Sequence, residues 1–207
     1  MRFEKGHKEN TRRRIIDVAA KKFRRDGIAA SGLAGIMSAS GLTNGAFYPH
    51  FESKEALVKE ALSSALQDQQ DALTNEDTGA ADIEDAIRRY LNTSHLVGYE
   101  EGCPSAALLP EIGRQPETTR QRYEQAVLAY VDGLAGLLPD PKRAKRREQA
   151  IAIFGLMVGT LQIARAVSDH KLAEAILEGG VQAALTLAHP SGPPGKVPPG
   201  SSKSVQP

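Results

Sequence analysis

The chain has 207 residues, 41% of them apolar, with one cysteine, no tryptophan and a formal charge of +1. That suffices for one large domain, or a small one joined to a larger one, and excludes an intrachain disulfide framework. No apolar run reaches the roughly 18 residues read as a membrane span, and the N-terminal MRFEKGHKENTRRR has no apolar segment behind its charges, so no secretory leader and no membrane partner are expected and a cytoplasmic setting is. The small net charge hides an asymmetry. Residues 1–60 hold 12 Lys and Arg against 7 Asp and Glu, and the remainder is net acidic. A basic head on an acidic body points the head toward a polyanion, although a solvated helix surface has the same composition.

In chain order, Ile15, Ile16, Ala19, Ala20 and Phe23 recur at helical spacing and predict a helix over Thr11–Asp26, stopped by Gly27. Ser31 is placed to cap a short helix through Leu33, Ile36 and Met37. After the break at Ser40-Gly41-Leu42, a second short helix is predicted from Thr43 to about His50. Ser53 caps a longer one to about Leu73, with Glu55 in its first turn. Further helices are predicted over Asp82–Val97, from Pro104 to Ile112, over Glu117–Leu138, from Pro141 to Val167 and over Leu172–Ala188. The last carries two apolar stripes, Leu172, Ile176, Ala183 and Leu187 on one and Leu177, Val181, Ala184 and Leu185 on the other. Beyond it, 13 of the 19 residues from His189 are Pro, Gly or Ser, so residues 190–207 are expected to be a disordered tail. No strand-like alternation competes, and the expected fold is all-α.

The two short helices about Gly41 have helix-turn-helix proportions over about residues 32–51. In that motif the second helix enters the DNA major groove. Leu42, Ala46 and Phe47 fall on one side of it and Asn44, Gly45 and Tyr48 on the other. Gly45 lets the backbone approach closely, Thr43 offers a hydroxyl at a helix start where phosphate is favoured, and Tyr48 offers a phenol. His50 and Lys54 follow where the phosphate backbone would run. Capping and packing are the competing roles for Tyr48 and His50, while Phe47 and Phe51 suit a core.

The spacing of Gly27, Ser31, Leu33, Ile36, Gly41, Thr43, Gly45, Phe47, Tyr48, His50, Phe51, Ser53, Lys54, Glu55 and Leu57 resembles the DNA-binding domain of the tetracycline-repressor (TetR) family of bacterial regulators, over roughly residues 9–69. The resemblance implies a three-helix DNA-binding domain, with Ser31, Gly32, Thr43, Asn44, Gly45, Tyr48, Pro49, His50 and Lys54 at the DNA. Gly32 replaces a usual Ser or Thr, Ala34 and Gly35 a usual polar pair, and Pro49 a usual Tyr or His, which shifts affinity toward Arg12 to Arg14 and Lys54 and leaves more of the readout to DNA shape.

The resemblance further implies a larger helical domain over 70–189 that binds a small effector and dimerises, the whole acting as a repressor on palindromic operator DNA. The apolar last two helices, with Gly155 and Gly159 four apart, suit an isologous dimer. Candidate effector contacts are His95, Tyr99, Cys103, Tyr123, Tyr130, Phe154, Met157 and Gln162, a mixture that suits a medium-sized, partly hydrophobic molecule. Cys103, just before a helix start, supports a second reading as a redox or electrophile sensor, opposed by Glu100 and Glu101. A thiol enzyme using Cys103 with His95 as base is a third, and it lacks an oxyanion donor. P-loop, dinucleotide-glycine and zinc-ligand spacings are missing, so no cofactor, no metal and no enzymatic activity are expected.

Overall fold

The computed structural model describes residues 2–75, 77, 79–139 and 143–189, with the side chains of 2–5, 143 and 144 excepted. The expected tail at 190–207 and the helix opening at Pro141 lie outside the described residues. The elements are α1 (Arg2–Asp26), α2 (Leu33–Ala39), a 3-10 turn (Asn44–Ala46), α3 (Lys54–Thr74), α4 (Ile83–Tyr90), α5 (Thr93–Val97), α6 (Pro104–Ile112), α7 (Glu117–Leu137), α8 (Arg143–Ala166) and α9 (His170–Ala188). The fold is all-α.

Local chemistry explains most boundaries. Gly27 and Gly41 end the first two helices at φ +86° and +69°, a left-handed backbone that a side chain disfavours. The Ser53 hydroxyl caps α3 by accepting from Ala56 N at 3.1 Å. Three expectations are corrected. Helix α1 starts nine residues before Thr11, at Arg2. The cap of α2 is Gly32, without a side-chain bond, because the Ser31 hydroxyl instead donates back to Gly27 O at 2.7 Å. The helix expected over 82–97 is two, since the Asn92 side chain accepts from His95 N at 2.8 Å and restarts the chain as α5.

Two cores form. The head core joins Ile15, Ala19 and Phe23 of α1, Ile36 and Met37 of α2, Phe47, Phe51, and Leu57 to Leu66 of α3. It also takes Leu108 and Ile112 from α6, so the body reaches into the head. The body core is built on Ile87 and Tyr90, Val131 and Leu134, and the facing stripes of α8 and α9. By length and mean hydropathy of 1.3, Lys145–Ala166 would suffice to cross a membrane, contrary to the sequence expectation. In the fold Ile153, Met157 and Leu161 of that helix are fully buried against its neighbours, the environment of a core helix.

Candidate DNA-reading head and interior cavity

The reading element is shorter than its sequence predicts. Ala46 N bonds Thr43 O at 3.0 Å and Phe47 N bonds Asn44 O at 3.2 Å, the tighter i to i+3 pattern. Pro49 has no N–H to extend the ladder and pushes its predecessor away from helical geometry. The expected helix from 43 to 50 is therefore one 3-10 turn followed by turns. Phe47 anchors it at 1% exposure and stacks on Phe51 at 5.5 Å. Outside lie Thr43, Asn44, Gly45, Tyr48 and Pro49, with Gly32 also exposed. Tyr48 is 71% exposed, held edge-on to Phe47 at 5.4 Å, and its phenol points away from the core. No atom lies within 4 Å of where a Gly45 side chain would begin.

Other predicted contacts are placed differently. Ser31 is 2% exposed with its hydroxyl bonded inward, so it braces the loop and offers no surface to a ligand. Lys54 Nζ donates to Ile28 O at 2.8 Å. Arg12 is committed to Glu60 and lies 4.9 Å over the Phe51 ring, leaving Arg13 and Arg14 as the exposed cations of that run. Burial, then the Lys8 and Arg12 charges, pushes the His50 pKa below its usual value, so the ring is neutral near pH 7.

A cavity of about 540 Å³ lies where the end of α1, α3, α4, the α5–α6 segment and α7 meet. Of the eight predicted effector residues His95, Cys103 and Tyr130 line it. The other five lie outside its lining. Tyr99 stacks under Arg165 at 4.3 Å, Tyr123 pairs with Ser105 Oγ at 3.0 Å, and Gln162 donates to Ala106 O at 3.3 Å. Met157 is fully buried in the body core, and Phe154 sits behind Tyr90 and Tyr130. Sequence reasoning missed Arg24, Asp68, Gln69 and Tyr90. Tyr90 could have been suspected as an aromatic at a helix end, whereas nothing local to Arg24 reveals what α1 packs against.

The lining fixes one histidine tautomer. Cys103 N–H donates to His95 Nε2 at 2.9 Å, so the proton sits on Nδ1, which donates to Tyr90 O at 2.7 Å. Burial lowers the His95 pKa, keeping the ring neutral. Its one lone pair is occupied by the backbone of Cys103, which removes His95 as a base for that thiol and takes away the support for a thiol enzyme. Among the described residues no group of three His, Cys, Asp or Glu side chains is placed to hold a metal.

Residues 15–61 match the family model of bacterial regulatory proteins, tetR family. The matched segment is of the tetR family. The chain is 38% identical over 61 residues to the HTH-type transcriptional repressor KstR2 of Rhodococcus jostii, 30% of each chain. It is 36% identical over 87 residues to the HTH-type transcriptional regulator TtgR of Pseudomonas putida, covering 42% of this chain and 39% of that one. The chain thus matches well under half the length of these curated relatives. The fold extends further: reduced E. coli NemR superposes with TM-score 0.69 at 19% identity over 84% of this chain and 95% of that one. A tetR-family regulator of Cytophaga hutchinsonii gives 0.69 at 21% identity over 86% and 95%.

The tetR-family head is tied to the body at two places. Both Glu111 carboxylate oxygens of α6 accept from the loop after α1, from Ile28 N at 3.1 Å and Ala29 N at 2.9 Å. The α5–α6 segment is strapped to α1 by Arg25 to Glu100 and Lys21 to Glu101, both at 2.5 Å. Helices α8 and α9 carry exposed apolar residues. Ile163 is 57% and Leu172 49% exposed, and nothing stands within 4 Å over Gly155, Gly159 or Gly179. The second α9 stripe, Leu177, Val181 and Ala184, is buried on α8.

Proposed function

We propose that this chain is a ligand-responsive transcriptional repressor that grips palindromic operator DNA as a homodimer. The observation that carries the proposal is the bare turn at Gly45, flanked by the exposed Thr43, Asn44 and Tyr48 on a net basic head. Gly32 and Pro49 are also exposed, the half-buried His50 and Lys54 follow the turn in the chain, and the exposed Arg13 and Arg14 supply phosphate attraction. Paired heads read two half-sites, and the apolar α8–α9 strip is the surface that joins two copies about a two-fold axis. The effector is a small molecule in the 540 Å³ cavity, whose walls include the end of α1 and part of α3, both of the head core, and the α5–α6 segment that bonds to α1.

The test is a gel shift on DNA flanking the chain's own gene, with sedimentation in parallel. Wild type is expected to sediment as a dimer and to bind with a steep fall in affinity as salt rises. Ile163→Glu places a charge in the strip and is expected to give a folded monomer with at least about 100-fold weaker DNA binding. A dimer in that variant would refute the assigned interface, and no shift by wild type would refute the DNA reading.

A second reading keeps the same fold and lets Cys103 sense electrophiles. Its support is that the thiol lies in the cavity wall, 4% exposed, where a small electrophile entering the cavity would meet it. Cys103→Ser protein should then hold DNA when N-ethylmaleimide releases the wild type. Equal release from both would dismiss it.

A further inference from the structure

The cavity contains a buried charge that makes no direct ion pair among the described residues. Arg24, near the end of α1, is 7% exposed. A buried guanidinium ordinarily pairs with a carboxylate, because desolvating an unpaired charge is costly. Of the carboxylates whose charge reaches it, Glu101 is engaged by Lys21 and Glu100 by Arg25, each at 2.5 Å, while Asp68 of the same cavity lining acts on it without forming an ion pair. Arg24 forms no ion pair among the described residues and bonds through Nε alone, to Glu100 O at 2.5 Å. Burial correspondingly lowers its pKa.

Two further polar atoms of the same lining are short of partners. The Tyr90 hydroxyl, on a residue 5% exposed, has the Cys103 thiol beside it and no other hydrogen-bond partner. The Gln69 carboxamide, beside the Tyr130 hydroxyl, leaves its Nε2 unpartnered. All three residues can donate. Facing them, Ala65, Ala72, Leu73 and Ala86 make an apolar slot. Of the other charges in the lining, Arg89 is paired with Asp85 at 2.8 Å and Glu101 with Lys21 at 2.5 Å, while Asp68 is partly exposed, its pKa raised by burial and drawn back by the Arg24 charge.

We infer that the cavity binds an organic carboxylate with a compact apolar or aromatic body, its carboxylate held by Arg24 and assisted by Tyr90. The planar fork of a guanidinium can hold a carboxylate by two parallel charge-assisted bonds. The volume of about 540 Å³ falls within the range of small-molecule sites and sets the body at one or two rings. The anchoring residue belongs to α1, so the DNA-binding head itself forms part of the effector site. The carboxylate completes the shell of a residue that already holds Glu100 O, and thereby tightens the α5–α6 segment onto α1. This assignment rests on the effector reading only for its consequence at DNA, not for binding.

The experiment compares four acids with their amides on the full chain: 1-naphthoate, 2-naphthoate, 4-phenylbutyrate and 3-phenylpropionate against the matching carboxamides, by calorimetric titration. At least one acid is expected to bind about tenfold or more tighter than its amide, the increment of a charge-assisted bond in a buried site. Arg24→Gln should remove that preference, Arg24→Lys should keep part of it, and Tyr90→Phe should weaken the acid a few-fold without changing the melting temperature. Equal binding of every acid and amide, or no acid binding at millimolar concentration, overturns the inference. So does a preference that survives in Arg24→Gln with native helix content by circular dichroism. Should Arg24→Gln not fold, the wild-type contrast and Tyr90→Phe decide. Gel shifts on the same samples separate the two ideas: tight acid binding with unchanged DNA affinity keeps the anion site and refutes the effector role.

Discussion

Gly45→Asp is expected to weaken operator binding by at least about 100-fold while leaving stability within about 0.5 kcal/mol of wild type. The two effects separate because of where Gly45 stands. Its backbone is not in the left-handed region, and an added Cβ would meet no atom within 4 Å, so the free protein accepts a side chain without strain. The 3-10 turn is held by Phe47 beneath it, which the substitution does not touch. At the DNA the same side chain adds bulk where the backbone must come close, and a negative charge where phosphates crowd. Like-charge juxtaposition at an interface costs several kcal/mol. Gly45→Ala, which adds bulk alone, should fall between the two. Fluorescence anisotropy with operator DNA and thermal denaturation of the same samples measure both quantities. Wild-type affinity in Gly45→Asp would mean that this turn does not approach DNA, and the assignment of Thr43, Asn44 and Tyr48 would fall with it.

Gly180→Val is expected to destabilise the body by about 2–3 kcal/mol, a fall of several degrees in melting temperature. Helices α8 and α9 approach closely where Gly180 faces Thr160. A Cβ on Gly180 would lie 2.4 Å from Thr160 Cγ2, 2.7 Å from its Oγ1 and 3.0 Å from its Cβ, distances that real contacts do not sustain. The clash is with a short β-branched side chain that has little freedom to swing aside. Fully buried Ile153, Met157 and Leu161 on the same helix pass any shift to the rest of the core. The outer faces of this helix pair carry the proposed dimer strip, so separating α8 from α9 should also weaken dimerisation. A double-mutant cycle isolates the cause: Thr160→Ala with Gly180→Ala should lose clearly less than the sum of the two single changes. Additive losses would show that the close approach is not what limits the site.

Gly180 also shows how far the sequence could be read. The Gly179-Gly180 pair in a helix suggests close packing, yet the two residues differ completely. Gly179 faces open space and Gly180 faces Thr160. The stripes of α9 were legible because Leu177, Val181 and Ala184 recur at helical spacing, but which stripe turns inward depends on α8. Likewise the reading turn was legible as a motif through Gly41, Thr43, Gly45 and Tyr48. Its collapse to one 3-10 turn follows from Pro49, whose missing N–H was visible and whose effect depended on how firmly Phe47 and Phe51 held the turn. Ser31 had the chemistry of a cap, but its hydroxyl joins its own backbone N–H in donating to the Gly27 carbonyl. In the body, aromatic residues were reasonable candidates for a cavity, but Phe154 and Met157 became the packing behind it. Aromatic character alone does not distinguish a wall from the core that supports it.

What the sequence determined by itself was local: the helices, the glycine stops, the Ser53 cap and the spaced residues of the tetR-family head. Helix periodicity, capping and turn chemistry act between residues a few positions apart, and every one of those partners can be read along the chain. The tertiary structure alone decided what the cavity is made of and how the head is coupled to it. Arg24 meets the Glu100 carbonyl across 76 residues, and Glu111 reaches the Ile28 amide across 83. Such pairings arise only when the packing of α1 against α6 and the α5–α6 segment has fixed distances to within a hydrogen bond. Burial then turns an ordinary surface arginine into an unpaired charge, because it is the loss of water, and not the residue type, that creates the demand for a counter-ion.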